Sequence, residues 1–170
     1  RQTYNIDKME KRVNNVVSRA VENDIPLIYL NLVGGQDELI FDGGSFAVNS
    51  DGQLACQLPM FETFDGVIEI ENNSSSLKIS SKHLFKDQTG YESLYSAIML
   101  SLRDYVTKNS FKNVILGLSG GIDSALVSAV AVDALGPENV RCFMLPSKFT
   151  SQDSTKDAKD ISDRLDIKLE

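Results

Sequence analysis

The residues best placed to do chemistry are Gly117, Leu118, Ser119, Gly120, Gly121, Ile122, Asp123 and Ser124, set between an apolar run and a helical pattern. A glycine-rich turn between a strand and a helix lets the backbone approach a ligand closely. It also turns free N–H groups at the helix start toward that ligand, an arrangement suited to phosphate. The segment is not a Walker A loop, because the Gly-Lys-Ser/Thr ending is absent. Nor is it a dinucleotide fingerprint, since G-x-G-x-x-G does not occur and no acidic residue ends the next strand candidate. What distinguishes it is two hydroxyls, Ser119 and Ser124, around two glycines and one carboxylate, Asp123. At a helix start Asp123 could simply favour the helix dipole, a contribution of about 0.3–1 kcal/mol. Facing a bound polyphosphate, it would instead repel the ligand unless a divalent cation stood between them. The set therefore reads as a Mg²⁺–pyrophosphate cradle, with Asp123 as the metal ligand.

The surrounding elements must hold such a loop in place. NVILGL (113–118) reads as a buried strand, about 122–135 as a helix, VRCFMLP (140–146) as a second strand, about 152–165 as a further helix, and IKLE as the start of another strand. Strands alternating with helices at this spacing predict a parallel sheet with right-handed crossovers. Ligands in such sheets bind beyond the carboxyl ends of the strands, which adds Leu145, Pro146 and Ser147 as ligand-side candidates; Lys148 reads as an exposed loop lysine, with a charge offered to a phosphate as the alternative. A helix marked by Leu94, Ile98, Leu102, Tyr105 and Val106 precedes this region.

Upstream, Ile6, Met9, Val13, Val16, Val17, Ala20 and Val21 form the apolar face of a helix over 5–23, with Arg12 and the other charges mostly elsewhere. PLIYLNLV (26–33) reads as a strand buried on both faces, GGQDE (34–38) as a loop, and LIFD, GSFAVN and QLACQLP as short strands. Ser50-Asp51-Gly52 is a turn joining the last two as a hairpin. VIEIE (67–71) is a further strand, and the polar NNSSS (72–76) reads as the start of a linker.

The chain has 170 residues and a net charge of −7; residues 1–92 carry 8 basic and 14 acidic side chains, residues 93–170 carry 9 and 10. That shift supports a division into 1–71, a linker 72–92, and 93–170. No apolar run approaches the roughly 20 residues of a membrane span, and an acidic chain without a basic stretch is unsuited to nucleic acid. Cys56 and Cys142 are too few for a disulfide framework or zinc site and fit a reducing cytoplasm. Both halves read as incomplete, which makes the segment an excerpt of a larger protein.

Ser119-Gly120-Gly121-Ile122-Asp123-Ser124 resembles the S-G-G-x-D-S loop of the ATP pyrophosphatases, shared by guanylate, asparagine and NAD synthetases. The flanking text, LRDYVTKNSFKNVILGLSGGIDSALVSAVAVDALGPENV and then MLPSKFTSQDSTKDAKDISDRL, is similar to the synthetase domain of glutamine-dependent NAD synthetases. YLNLVGGQDELIFDGGSFAVNSDG resembles the late part of the nitrilase-like glutaminase domain of the same bifunctional enzymes. The resemblance implies an α/β chain, the end of a nitrilase-like α/β sandwich followed by the start of a Rossmann-like ATP-pyrophosphatase domain. It implies a ligase that adenylates deamido-NAD with ATP and amidates it with glutamine-derived ammonia. It implies ATP and Mg²⁺ at Gly117–Ser124, a glutamine contact at Lys8, and homo-oligomers in the cytoplasm. A guanylate synthetase-like enzyme, or a fragment inactive alone, stands as the alternative. The family's Glu-Lys-Cys glutaminase triad is not recognised: Cys56 and Cys142 read as core strand residues, so the triad is expected outside this chain. GGQDE is expected to serve domain docking and the ammonia path. His83 receives no role.

Overall fold

The computed structural model describes residues 2–6, 8–73, 76–145 and 151–170. Its elements form two compact units, Arg1–Ala97 and Ile98–Glu170.

In the first unit, helix α1 (Lys8–Asn23) starts three residues later than the periodicity suggests. It lays Met9, Val13, Val16, Val17 and Ala20 on an antiparallel sheet of β1 (Leu27–Tyr29), β4 (Phe46–Val48) and β5 (Leu54–Gln57), ordered β1-β4-β5. Phe46 and Val48 face the helix, and Phe46 stacks on Tyr29 at 5.2 Å. Ala47 and Cys56, opposite each other in the ladder, face the other way and meet Ile79. Alternation along β4 thus puts a core on each side of the sheet, and all three β4 residues are buried. The β4–β5 hairpin turns at Ser50-Asp51-Gly52 as expected. Gly52 takes φ +82, and the Asp51 carboxylate accepts the Gln53 N–H at 2.9 Å.

Several local expectations need correction. PLIYLNLV is not a strand buried on both faces: β1 covers three residues, and Ile28, Leu30 and Leu32 are exposed. GGQDE is not simply a loop. Gly34 and Gly35 lie in β2 (Val33–Gln36), which pairs with β3 (Leu39–Asp42), and only Asp37-Glu38 form the turn. Residues 72–73 and 76–80, placed in a linker by composition, belong to a hairpin of β6 (Glu69–Asn73) and β7 (Ser76–Ser80). Backbone pairing there needs no apolar side chains, and only Ile79 is buried.

Arg12 is the largest departure. Expected on the solvated face, its side chain is fully buried and forks onto both carboxylate oxygens of Asp42 at 3.1 and 3.2 Å. Asn31 donates to the same carboxylate at 2.8 Å, and the guanidinium lies 5.5 Å from the centre of the Tyr29 ring.

Asp87 is half-buried and accepts a hydrogen bond from the Gln57 amide. Burial raises its pKa above the usual carboxylate value; that hydrogen bond, and then the Arg12 charge, only partly oppose the shift. A raised folded-state pKa contributes stability that is fully present below the unfolded pKa and is lost as pH rises through the folded value. Asp87→Asn, which keeps an acceptor for Gln57 without the charge, should therefore gain stability relative to wild type as pH is raised from the acid range to neutrality. Parallel denaturant titrations at several pH values check this. A difference independent of pH would remove Asp87 as its source.

The second unit contains the expected parallel sheet, with β8 (Val114–Gly117), β9 (Val140–Phe143) and β10 (Lys168–Leu169) in the order β10-β9-β8. Between them lie α3 (Ile122–Leu135) and α4 (Gln152–Leu165), with the bounds the sequence suggests. Helix α2 (Gly90–Lys108) precedes β8. Leu118, Ala131, Val140, Cys142, Ala158 and Ile167 form one core, to which both α3 and α4 contribute a small residue that lets the helix approach the strands closely. β8 is not buried throughout, because Ile115 on its other face is exposed. No helix among the described residues is long and apolar enough to cross a membrane.

Candidate functional site

The glycine loop leaves β8 at its carboxyl end. Register pairs Gly117 with Phe143, and the buried Leu118 extends the ladder by donating its N–H to the Phe143 carbonyl at 2.9 Å. Gly120 then takes φ +82, a left-handed conformation natural to glycine, and Gly121 caps α3 in an extended conformation without a side-chain cap.

The two serines brace this turn from inside. Ser124 Oγ receives the Ser119 N–H at 3.2 Å and donates to the Gly121 carbonyl at 2.9 Å. Ser119 Oγ receives the Gly121 N–H at 3.3 Å, and the two hydroxyls are 3.0 Å apart. The N–H groups of Ser119 and Gly121 are therefore occupied within the loop. Those of Gly120, Ile122 and Asp123 have no partner among the described residues. They lie at the positive end of the α3 dipole, where an anion is favoured.

Asp123 is exposed and has no hydrogen bond or ion pair among the described residues. Two hydroxyls and this carboxylate are the side-chain oxygens the loop offers. No group of three or more metal-binding side chains occurs among the described residues. Mg²⁺ needs no such group. It is commonly held by one or two carboxylates with substrate phosphates and water completing the shell, so a single Asp beside an anion-binding turn fits it.

A residue not singled out from the sequence supports the loop from below. Ser128, fully buried on α3, donates to the Ser124 carbonyl at 2.8 Å and lies 3.6 Å from Cys142 Sγ on β9. The only sequence signal was a serine four positions after Ser124 in an otherwise apolar helix.

Leu145 lies just beyond the carboxyl end of β9, on the same sheet edge as the loop, and is exposed. Pro146, Ser147 and Lys148 lie outside the described residues. A groove of about 650 Å³ in this unit, lined by Met144, Thr155, Lys156, Lys159, Ile167 and Leu169, includes no residue of the loop.

In the first unit, Lys8 opens α1, half-buried and without a side-chain partner among the described residues. A cavity of about 410 Å³ there is lined by Tyr4, Met9, Asp42, Gln57 and Asp87, and Lys8 is not part of its wall. Cys56 and Cys142 are buried strand residues with free thiols, consistent with core packing. His83 packs among rings, edge-on to Phe64 at 5.1 Å and stacked near Phe85 at 6.4 Å.

Comparison with known proteins gives this geometry a context. Residues 94–170 match the NAD synthase family. The chain is 44% identical over 167 residues to a glutamine-dependent NAD(+) synthetase of Rhodobacter capsulatus, covering 98% of the chain and 30% of that protein. It is 40% identical to the Acinetobacter baylyi enzyme of the same name, again covering 30% of it. Among solved structures it superimposes with a TM-score of 0.91 on the glutamine-dependent NAD+ synthetase of Acinetobacter baumannii in complex with ADP. That match is 37% identical and covers 99% of this chain and 32% of the other. The Cytophaga hutchinsonii enzyme, 16% identical at a TM-score of 0.76, shares the fold. The chain thus spans about 30% of the length of the curated relatives it matches. Residues 94–170 are thus similar to the NAD synthase family, and the chain as a whole is similar to about a third of a glutamine-dependent NAD(+) synthetase.

Proposed function

We propose that this segment serves a glutamine-hydrolysing NAD(+) synthase, a ligase in which Gly117–Ser124 holds the phosphates of ATP. The observation that carries the reading is the turn at the carboxyl end of β8, with N–H groups at the start of α3 that have no partner among the described residues and the Asp123 carboxylate beside them. The ADP bound by the Acinetobacter baumannii relative supports a nucleotide at this fold. In the proposed reaction the nicotinate carboxylate of deamido-NAD attacks the α-phosphorus of ATP, and the bond to pyrophosphate breaks. Ammonia then attacks the resulting acyl carbon, loses a proton, and AMP leaves with the oxygen.

Within this chain the loop contributes position and electrostatics. N–H groups of Gly120, Ile122 and Asp123 meet the phosphate oxygens, while Ser119 and Ser124 keep the turn rigid. Asp123 would hold Mg²⁺, which supplies positive charge against the departing pyrophosphate. Leu145, with Pro146 and Ser147 beyond the described residues, would lie toward the nucleotide. The first unit would be the end of a nitrilase-like glutaminase domain, with Lys8 near glutamine and the active thiol supplied by neither Cys56 nor Cys142. A glutaminase part followed by a synthetase part, a cytoplasmic setting and homo-oligomers complete the proposal.

The test uses the complete enzyme that carries this segment. Pyrophosphate release is measured with ATP and glutamine against a panel of carboxylate acceptors. Release that depends on deamido-NAD, with NAD as product, is the expected result. Release dependent on xanthylate or aspartate instead would mark a different ATP pyrophosphatase and overturn the reading.

A further inference from the structure

Gly120 and Ser154 belong to different loop–helix junctions, yet their backbones touch. A Cβ placed on Gly120 would stand 2.3 Å from the Ser154 carbonyl oxygen and 3.0 Å from its carbon. Both partners are main chain, so no rotamer change can relieve such a contact. The glycine requirement at position 120 is accordingly double: left-handed φ, and a neighbouring carbonyl that leaves no room for a side chain.

Where that carbonyl stands is decided by the first turn of α4. Ser151 is the N-cap, extended at φ −70 and ψ 154, and its hydroxyl receives the Ser154 N–H at 3.0 Å. The two hydroxyls share a hydrogen bond at 2.8 Å. The Thr155 N–H and hydroxyl both donate to the Ser151 carbonyl at 3.3 Å. Such a cap ordinarily does no more than stabilise its own helix. Here the capped turn also forms one wall of the glycine turn at 119–121, whose inner side is braced by Ser119 and Ser124.

We infer that Ser151 and Ser154 are positioning residues for ATP. By capping α4 they hold the Ser154 carbonyl against Gly120 and keep the turn in the conformation that receives pyrophosphate. This rests on the reading of 117–124 as the pyrophosphate loop. Neither hydroxyl need touch the nucleotide; the effect passes through main-chain contact.

In the complete enzyme, Ser151→Ala is expected to raise KM for ATP about 5-fold or more, while KM for the carboxylate acceptor and for glutamine stays within about 2-fold. Ser151→Thr keeps a capping hydroxyl and should return KM for ATP to the wild-type value. Ser154→Ala retains the capped N–H but loses the paired hydroxyl, and should give a smaller rise of about 2-fold. It also carries the test alone if Ser151→Ala fails to fold. A lowered melting temperature with KM for ATP unchanged in the folded variants would mean a merely structural cap and overturns the inference. Wild-type enzyme that releases no pyrophosphate with any acceptor would instead bring down the reading of the loop, and this inference with it.

Discussion

Asp123→Asn should reduce ATP-dependent pyrophosphate formation by the complete enzyme at least about 100-fold, the scale seen when one preorganised electrostatic group is removed from a reacting centre. The substitution keeps size and hydrogen-bonding capacity and deletes only the charge that would hold Mg²⁺ against the phosphates. Because the carboxylate is exposed and has no partner among the described residues, the fold has little to lose. The missing helix-dipole interaction is worth only about 0.3–1 kcal/mol. Glutamine hydrolysis, assayed at saturating substrate, should be spared. The expected pattern is a steep loss of pyrophosphate release, a raised Mg²⁺ requirement, and a melting temperature close to wild type. Pyrophosphate formation at the wild-type rate in Asp123→Asn would sink the metal assignment.

The largest stability effect is expected at Arg12. Its guanidinium and the Asp42 carboxylate are both almost wholly buried and linked by two hydrogen bonds. Arg12 also donates to Gln2 at 3.2 Å and to the Gly43 carbonyl at 3.4 Å. Truncation to alanine leaves Asp42 buried with Asn31 as its remaining side-chain donor. Breaking a buried pair in this one-sided way typically costs about 3–5 kcal/mol. Replacing both members with apolar residues of similar volume should cost much less, since no charge is then stranded. Hydrogen exchange of α1 amides, together with denaturant midpoints for the two single variants and the double variant, measures the coupling. Additive single effects would mean that the pair does not act as a unit.

This pair also marks where sequence reasoning stopped. A charged residue amid the polar side of an amphipathic helix is normally solvated, and nothing within a turn of Arg12 says otherwise. Its partner lies 30 positions away at the end of β3. By contrast, α3 and α4 were legible to the residue. Gly121 and Ser151 supply local start signals, and Gly136, at φ +85, ends α3. The parallel sheet followed from element spacing alone. The glycine loop was legible as a candidate phosphate site because its chemistry is concentrated in eight consecutive residues. Its support was not, since the Ser154 carbonyl and the Ser128–Cys142 contact come from other elements. The NNSSS tract misled for a related reason. Its residues favour turns, yet Asn72, Asn73 and Ser76 belong to strands held by backbone hydrogen bonds on an exposed ribbon, where side-chain hydrophobicity carries little information.

The strand order β10-β9-β8 has a consequence for how the second unit is made. Each strand pairs with the one completed before it, and the helix that joins them contributes to the same core. A chain emerging from the ribosome can therefore dock β9 on β8 once α3 is out, then β10 on β9 once α4 follows. Among the described strands of this sheet, none has to wait for a distant partner or be inserted between neighbours already paired. Pairing between successive strands, 26 and 27 residues apart in sequence, costs less loop closure than pairing between more distant ones would. The glycine turn after β8, early in that sequence, would thus acquire its α3 support before the α4 wall arrives.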